Sequence, residues 1–525
     1  MRTKLSMRVP TGWKAAARPV GWWLLLAAVG LPVAFDANEA VAADVTDVVD
    51  AADGDDPFDF HIEPRFTQTR RSAVIRREYP CDPSDNADLN RNPRLDTDCG
   101  EPSVVFRKEM DYERITNQLD IDVQFGLYKD VEFHLTFPLV FSDQRVLRYA
   151  DLDSLQEFVD ASNSSVDPSD SRIRDDIQAN VPNSGASDDL SRQFFSTFRY
   201  FSLAGDGNKG PTRKGFGDMK LGIAWNPFNR ERDDTKSTLM LGFDYVLPTG
   251  EIARAGNEGV GRGVHELQWT LAASKRFRYL EPYFSLKYVL PIAASNSLFE
   301  KEGPGQTLIS PGQRAEFLFG SEFIPYEEPE FGRKFVINVG LSFAYQAEGR
   351  DYNPLFDALS SSECNGLTPN QIRAAIEAVR DPNAPADGAT INRAACRWIL
   401  DEPGNAQGNP VYDPNANEFG DVPYFHDGLL DHEAYATFGA SLKLAFYPSE
   451  YVSIGLNLGI RHEQEHFITT ARTGVDSDDD NDTVKFDDPN ERNPHHNPNV
   501  DSVGNRFRVE ETIIFNWGLD LALQF

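Results

Sequence analysis

Beyond Asp44 the chain lacks any run approaching the roughly 18 uninterrupted apolar residues that a membrane-spanning helix needs, so crossing by helices is not expected. It is short of positive charge. Against 82 Asp and Glu stand 51 Lys and Arg, a net charge of −31. That balance argues against nucleic acid, whose phosphates require basic side chains, and against docking on an anionic cytoplasmic leaflet. Cysteine is scarce: there are 4, and no CxxC knuckle, so zinc is not expected. A GxSxG elbow, a Gly-rich phosphate loop and a compact Ser/His/Asp set are also missing, and enzymatic chemistry is not expected.

What is present begins with export. Trp22 to Phe35 is the one continuously apolar stretch, preceded by Arg2, Lys4, Arg8, Lys14 and Arg18 and followed by Ala40-Val41-Ala42-Ala43. This predicts a secretory signal peptide over 1–43. A short periplasmic N-terminal segment over 44–57 should follow, then a folded body over 58–525.

Strand periodicity dominates that body. From Ile513 to Phe525, Ile513, Phe515, Trp517, Leu519, Leu521, Leu523 and Phe525 alternate with small or polar residues, the period of a strand. A closing aromatic strand of this kind is like the terminal strand that barrel-assembly machinery reads. Twelve segments alternate in this way. They run over 58–77, 114–127, 131–142, 217–226, 237–247, 265–277, 283–291, 314–323, 334–345, 435–446, 451–462 and 511–525. The first alternates better in its first half than in its second, and Phe195 to Leu203 could add a pair.

Most of the twelve reach the roughly 9–11 residues that a tilted strand needs to cross a bilayer. Short connections alternate with long ones, 79–113, 143–214, 346–434 and 463–510 being the largest. Short turns on one side and long loops on the other predict an all-β, antiparallel, transmembrane outer-membrane barrel of about 12 strands. An even count puts both termini on the short-turn, periplasmic side. A mean hydropathy of −0.46 is compatible with this, since only alternate residues meet lipid. The alternative is a soluble all-β array of similar size.

The inward rows would carry Asp120, Asp122, Glu132, His134, Asp218, Lys220, Lys287 and Arg461, a charged, hydrated lumen that contacts a small-molecule solute. The other reading of these charges is a structural ladder that plugs the barrel. Twelve strands leave room for a narrow path only. In the loops, Asp476, Asp478, Asp480 and Asp482 form an acidic cluster whose oxygens suit Ca²⁺, without EF-hand spacing; the alternative is a solvated acidic loop. No other cofactor is expected. Cys81 with Cys99 and Cys364 with Cys396 predict two local disulfides, although spacing does not fix the pairing. His462-Glu463-Gln464-Glu465-His466 continues a strand, which sends His and Glu to opposite faces and spoils a zinc-protease reading.

Four stretches carry a family resemblance: Gly126 to Glu132 followed by Phe137-Pro138, Gly215 to Gly222, Leu247-Pro248-Thr249-Gly250, and Leu267 to Phe277. In this order they resemble the outer-membrane transporters named for the meta-pathway of phenol degradation. The resemblance implies a barrel in the outer membrane of a Gram-negative bacterium that admits small aromatic or hydrophobic compounds. Its neighbours there would be outer-membrane lipid and lipopolysaccharide. The second functional expectation is a surface-binding or structural barrel with a sealed lumen, whose extracellular loops do the work.

Overall fold

A computed structural model describes residues 45–49, 59–80, 104–149, 208–209, 212–230, 236–254, 257–295, 303–359, 428–476 and 506–524, with single positions in 297–301 and 484–504. The wall begins with β1 (Phe60–Pro80), β2 (Val104–Tyr128) and β3 (Val131–Tyr149). The short β4 (Asn208–Lys209) and β5 (Arg213–Phe216) pair with the upper part of β3, and β6 (Met219–Phe228) with its lower part. There follow β7 (Thr238–Leu247), β8 (Val264–Ser274), β9 (Leu280–Ala293), β10 (Arg314–Glu328) and β11 (Arg333–Gln346). A small ribbon, β12 (Gly349–Asp351) with β13 (Leu430–His432), stands apart from the wall. The wall resumes with β14 (Tyr435–Ser449), β15 (Val452–Glu463), the two-residue β16 (His466–Phe467) and β17 (Phe507–Gln524).

Neighbours in sequence pair antiparallel, and β1 pairs with β17 from His61↔Gln524 to Arg77↔Phe507. That last pairing removes both edges. The fold is a closed, 12-stranded antiparallel transmembrane barrel. Closure is what hydrocarbon demands, because each backbone group left unpaired there costs several kcal/mol.

Outside, the barrel is apolar. Phe243, Trp269, Leu286, Phe319, Leu341, Phe343, Phe438, Ile454, Ile460, Phe515 and Leu519 are all exposed on successive strands. Tyr128, Trp225, Phe228, Phe277, Tyr279, Tyr326, Phe331 and Tyr451 are exposed around the short-turn end. An apolar belt with an aromatic girdle is the signature of a lipid-facing wall. A soluble monomer rarely exposes a contiguous apolar patch beyond a few hundred Å².

β2, with 25 residues, and β3, with 19, run well beyond their periodic segments, while β1, with 21, keeps its expected length and extends three residues farther at its C-terminal end. On β1 and β2 the polarity of the rows inverts along the strand, whereas on β3 a register shift between Val140 and Ser142 turns the odd row inward and buries Leu147. In the lower part of β1, Arg65 and Thr67 face in and Phe66 faces out. Higher up, the inward row becomes apolar, with Ala73 and Ile75 buried, while Arg70 and Arg76 face out. An alternation rule with one fixed polarity stops where the sign changes, although the strand continues. The long connections shrink accordingly, to 81–103 after β1 and to a start beyond Tyr149 after β3.

All four cysteines, Phe525 and the acidic positions Asp478, Asp480 and Asp482 lie outside the described residues. Asp476 is described and exposed, and the described residues contain no His/Cys/Asp/Glu group able to hold a metal.

Candidate functional site: a charged chamber closed at both ends

The inward rows come together at mid-height of the barrel. His134 on β3, Gly222 on β6 and Asp244 on β7 stand in register across three adjacent strands. Gly222 has no side chain, so the two long ones meet over it. His134 Nδ1 is 2.8 Å from Oε1 of Glu132, and its Nε2 is 2.6 Å from Oδ1 of Asp244. Lys220 Nζ lies 4.0 Å from the same Asp244 oxygen.

Across the lumen the same device recurs. Gly455 faces Asp520 on β17, leaving space for its carboxylate to accept from Asn457 and to sit 3.6 Å from Lys443. Small residues opposite long polar ones are how a narrow barrel fits side chains into its interior.

Of the expected lumen residues, Asp120, Asp122, Glu132, His134, Lys220, Lys287 and Arg461 share this inner surface. Gln118 donates to Asp120 at 2.6 Å, and Thr136 donates to Asp122. Lys287 pairs in register with Glu316, and Arg461 is exposed to the interior. Arg65 and Glu316 point inward yet keep 42% and 40% of their side chains accessible, so there is room for water between the walls. Asp218 has a different job. Its two oxygens accept the backbone N–H of Gly250 at 3.0 Å and of Arg262 at 2.9 Å, tying the loop after β7 to the break between β5 and β6.

Both ends of the chamber are occupied. At the short-turn end, residues 45–49 enter the barrel. Asn226 Nδ2 donates to the Thr46 carbonyl at 3.0 Å, the Thr46 hydroxyl meets Ser274 Oγ at 2.8 Å, and Val49 N–H donates to Glu132 Oε2 at 2.9 Å. Asp47 acts electrostatically on Lys334 of β11. The segment thus spans from β3, β6 and β8 to β11.

At the long-loop end, Leu355, Leu430 and Ile468 pack on the apolar upper rows, against Ala73, Ile75, Met110, Tyr112, Leu147, Phe507 and Val509. Beside them Phe356 and Leu429 pack with Val264 and Phe299.

Buried ion pairs pin this cap to the wall. Arg213, fully buried, donates to Asp357, and Arg145 lies 3.6 Å from the same carboxylate. Arg262, in the loop between β7 and β8, donates to Asp351 at 2.8 Å; Arg350 donates to Asp431 at 3.2 Å within the β12–β13 ribbon, and Arg71 to Glu463 at 2.6 Å ties β1 to β15 beneath the cap. His466 stacks on Tyr435 with centroids 3.9 Å apart, and burial pulls its imidazole down to about 3. His462 is exposed while Glu463 and His466 are buried, so the strand does split the HExxH-like string.

The inserted segment, the cap and its arginines have no periodic signature. The inward glycines Gly222 and Gly455, which alternation treats as neutral, signal the crossing of His134 with Asp244 and the seat of Asp520, and nothing of the segment or the cap.

No protein-family model and no curated protein sequence matches the chain. Among solved structures it is similar to an outer-membrane channel from Pseudomonas putida F1, at 9% identity and a TM-score of 0.34, over 93% of this chain and 100% of that one. It is similar to a FadL homologue from Pseudomonas aeruginosa, at 8% and 0.27 over 89% and 90%. The outer-membrane protease OmpT from Escherichia coli is also similar, at 8% and 0.25 over 89% and 97%. The fold rests on the strand order and register given above, not on these likenesses.

Proposed function

We propose that the chain is an outer-membrane channel for passive passage of a small solute, captured in a closed state. The observation that supports this reading is the chamber itself. Charged rows on opposite walls enclose space accessible to water; a few polar contacts hold the segment at the short-turn end, and apolar packing with ion pairs holds the cap at the other. A barrel whose interior served only as a structural ladder would have no need of accessible inward Arg65 and Glu316 side chains. On this reading the solute is small, because twelve strands leave a narrow path. The belt meets outer-membrane lipid, and the acidic loops face lipopolysaccharide outside the cell.

The experiment is single-channel recording and liposome swelling with the refolded mature chain and with a variant lacking residues 45–49. We expect brief openings from the intact chain and long ones from the truncated form. If both stay silent in conductance and swelling while migrating as heat-modifiable folded barrels, the channel reading is lost.

One observation favours a second reading, a sealed barrel with working loops. The cap penetrates deep enough to bury Leu355 and Phe356 completely. Deleting 360–427 would then abolish function with no change in conductance.

A further inference from the structure

The cap contains a single helical turn, Phe356–Leu359, whose first two side chains sit in a recess formed by the wall together with Tyr352 of the cap itself. Phe356 is fully buried, its ring 4.6 Å from that of Tyr352, which in turn lies 6.1 Å from Phe299. The Arg213 guanidinium is 5.6 Å from the Phe356 centroid. The adjoining Asp357 carboxylate accepts from Arg213 and faces Arg145. An aromatic ring next to a carboxylate thus occupies a box made of two aromatic rings and two guanidiniums, one of which, Arg145, also donates to Asp143 at 3.1 Å.

We propose that Phe356 and Asp357 are an internal stand-in for the solute, and that the recess of Arg145, Arg213, Tyr352 and Phe299 selects an aromatic carboxylate. The inference rests on the channel reading, whose substrate class it names.

The chain's own carboxylate fits the recess incompletely. Asp357 stays 3.6 Å from Arg145, beyond hydrogen-bond reach, and the buried Nε atoms of Arg145 and Arg213 have no hydrogen-bond partner among the described residues. A guanidinium is built for two-point contact with a carboxylate, which a free ligand can adjust to make and a tethered one cannot.

Charge also decides the class. Arg213 is fully buried, so whatever displaces Asp357 must bring a negative charge or leave the guanidinium without its nearest carboxylate, held by the neutral oxygens of Arg254 and Asn257. An incoming carboxylate keeps the local charge count unchanged. A neutral hydrocarbon does not, and an aliphatic acid lacks the ring that Tyr352 and Phe299 receive. Entry of the solute and release of the cap are then one exchange reaction, because both compete for the same arginines.

The test is equilibrium dialysis of labelled benzoate, benzyl alcohol and hexanoate against the full mature chain in detergent, with heat-modifiable migration as the check on folding. We compare the parent, F356A/D357N, and F356A/D357N/R213Q. Vacating the recess removes an internal competitor. Apparent affinity for benzoate should rise at least about tenfold if the recess is open less than about a tenth of the time in the parent. R213Q should cancel that gain, and benzyl alcohol and hexanoate should bind at least about tenfold more weakly than benzoate. Equal binding of the three probes, or a gain indifferent to R213Q, overturns the inference, as does failure of the folded vacated variant to bind benzoate. Parallel bilayer recordings separate the two claims. Arg213-dependent benzoate binding in a protein that never conducts would keep the site and remove the channel.

Discussion

Gly222→Ala should destabilise this barrel, against the ordinary direction for such a change. Replacing glycine by alanine within a strand normally gains about 0.5–1 kcal/mol, because glycine loses the most backbone freedom on folding. Here the added Cβ would stand under 3.0 Å from Asp244 Oδ1 and His134 Nε2, and 2.8 Å from His134 Cε1. Both side chains must withdraw, and the 2.6 Å contact between them is lost. A hydrogen bond to a charged group is worth about 1.5–3 kcal/mol. The two effects oppose, and the larger wins: a net loss of about 0.5–2.5 kcal/mol. Urea unfolding of the barrel in lipid vesicles, followed by tryptophan fluorescence, reads the sign directly. The mechanism is read by a cycle with His134→Ala. If the loss passes through the His134–Asp244 contact, Gly222→Ala should cost at least about 1 kcal/mol less once His134 is gone. A parent-like or more stable G222A, or two costs that simply add, would refute the account of why this position is glycine.

Leu341→Arg places a charge on the lipid-facing row and should cost about 2–4 kcal/mol if it sits near the midplane, whereas the neighbouring inward Ser342→Arg should cost far less; urea midpoints of the two variants in vesicles decide it. His466 is held down to about 3 from an ordinary 6.5, so its contribution to the cap is full above pH 6.5 and is lost as pH falls toward 3. At pH 5 the loss is about 2 kcal/mol, at roughly 1.4 kcal/mol per pH unit. Hydrogen-exchange protection factors over 430–432 and 466–468, corrected for the intrinsic pH dependence of exchange, should fall by up to about thirtyfold between pH 7 and pH 5 in the parent and lose that dependence in His466→Gln. Glu511 has φ +51° in the middle of β17, where an L side chain is strained, so Glu511→Gly should stabilise by about 1 kcal/mol in the same urea assay.

How much of the molecule is legible in its sequence follows from what repeats. Lipid fixes the outward row, closure fixes an even number of paired strands, and both leave a period of two that can be read without coordinates. The inward positions of Asp120, Asp122, Glu132, His134, Lys220, Lys287 and Arg461 come free with that reading, because the second row is whatever the first is not. Partners do not. Nothing in the spacing connects Val49 to Glu132 over 83 residues, or Arg213 to Asp357 over 144. Asp218 lies on the right stretch of chain and still serves the backbone of Gly250 and Arg262 instead of the lumen. Single contacts made once, between loops and wall, have no period to betray them.

The sharpest case is β17, where an odd-numbered apolar row broken only at Glu511 hides two environments. Phe507, Val509, Ile513, Phe515, Trp517 and Leu519 are all odd-numbered and apolar, and a single strand with a single lipid face is the natural reading. In the structure Phe507 and Val509 are fully buried inside the barrel, under the cap, while Ile513, Phe515 and Leu519 are exposed outside. Between them the pairing with β1 slips by one residue, from Ser72↔Ile513 to Val74↔Glu510, at a bulge that includes Glu511 with its positive φ. One extra residue exchanges the two faces of a strand. Above the bulge the odd row therefore turns inward to pack against Leu355 and Ile468, while Glu510 turns outward and pairs with Arg76 at 2.7 Å. The barrel needs opposite things at its two levels, an apolar exterior in lipid and an apolar interior beneath the cap. On β1 the sequence meets that need by changing the polarity of its rows. On β17 it keeps the pattern and moves the backbone. A strand that stays apolar on one parity can thus leave the membrane and begin a closure in one step, and the residue that makes the step is a charged one in a strained conformation.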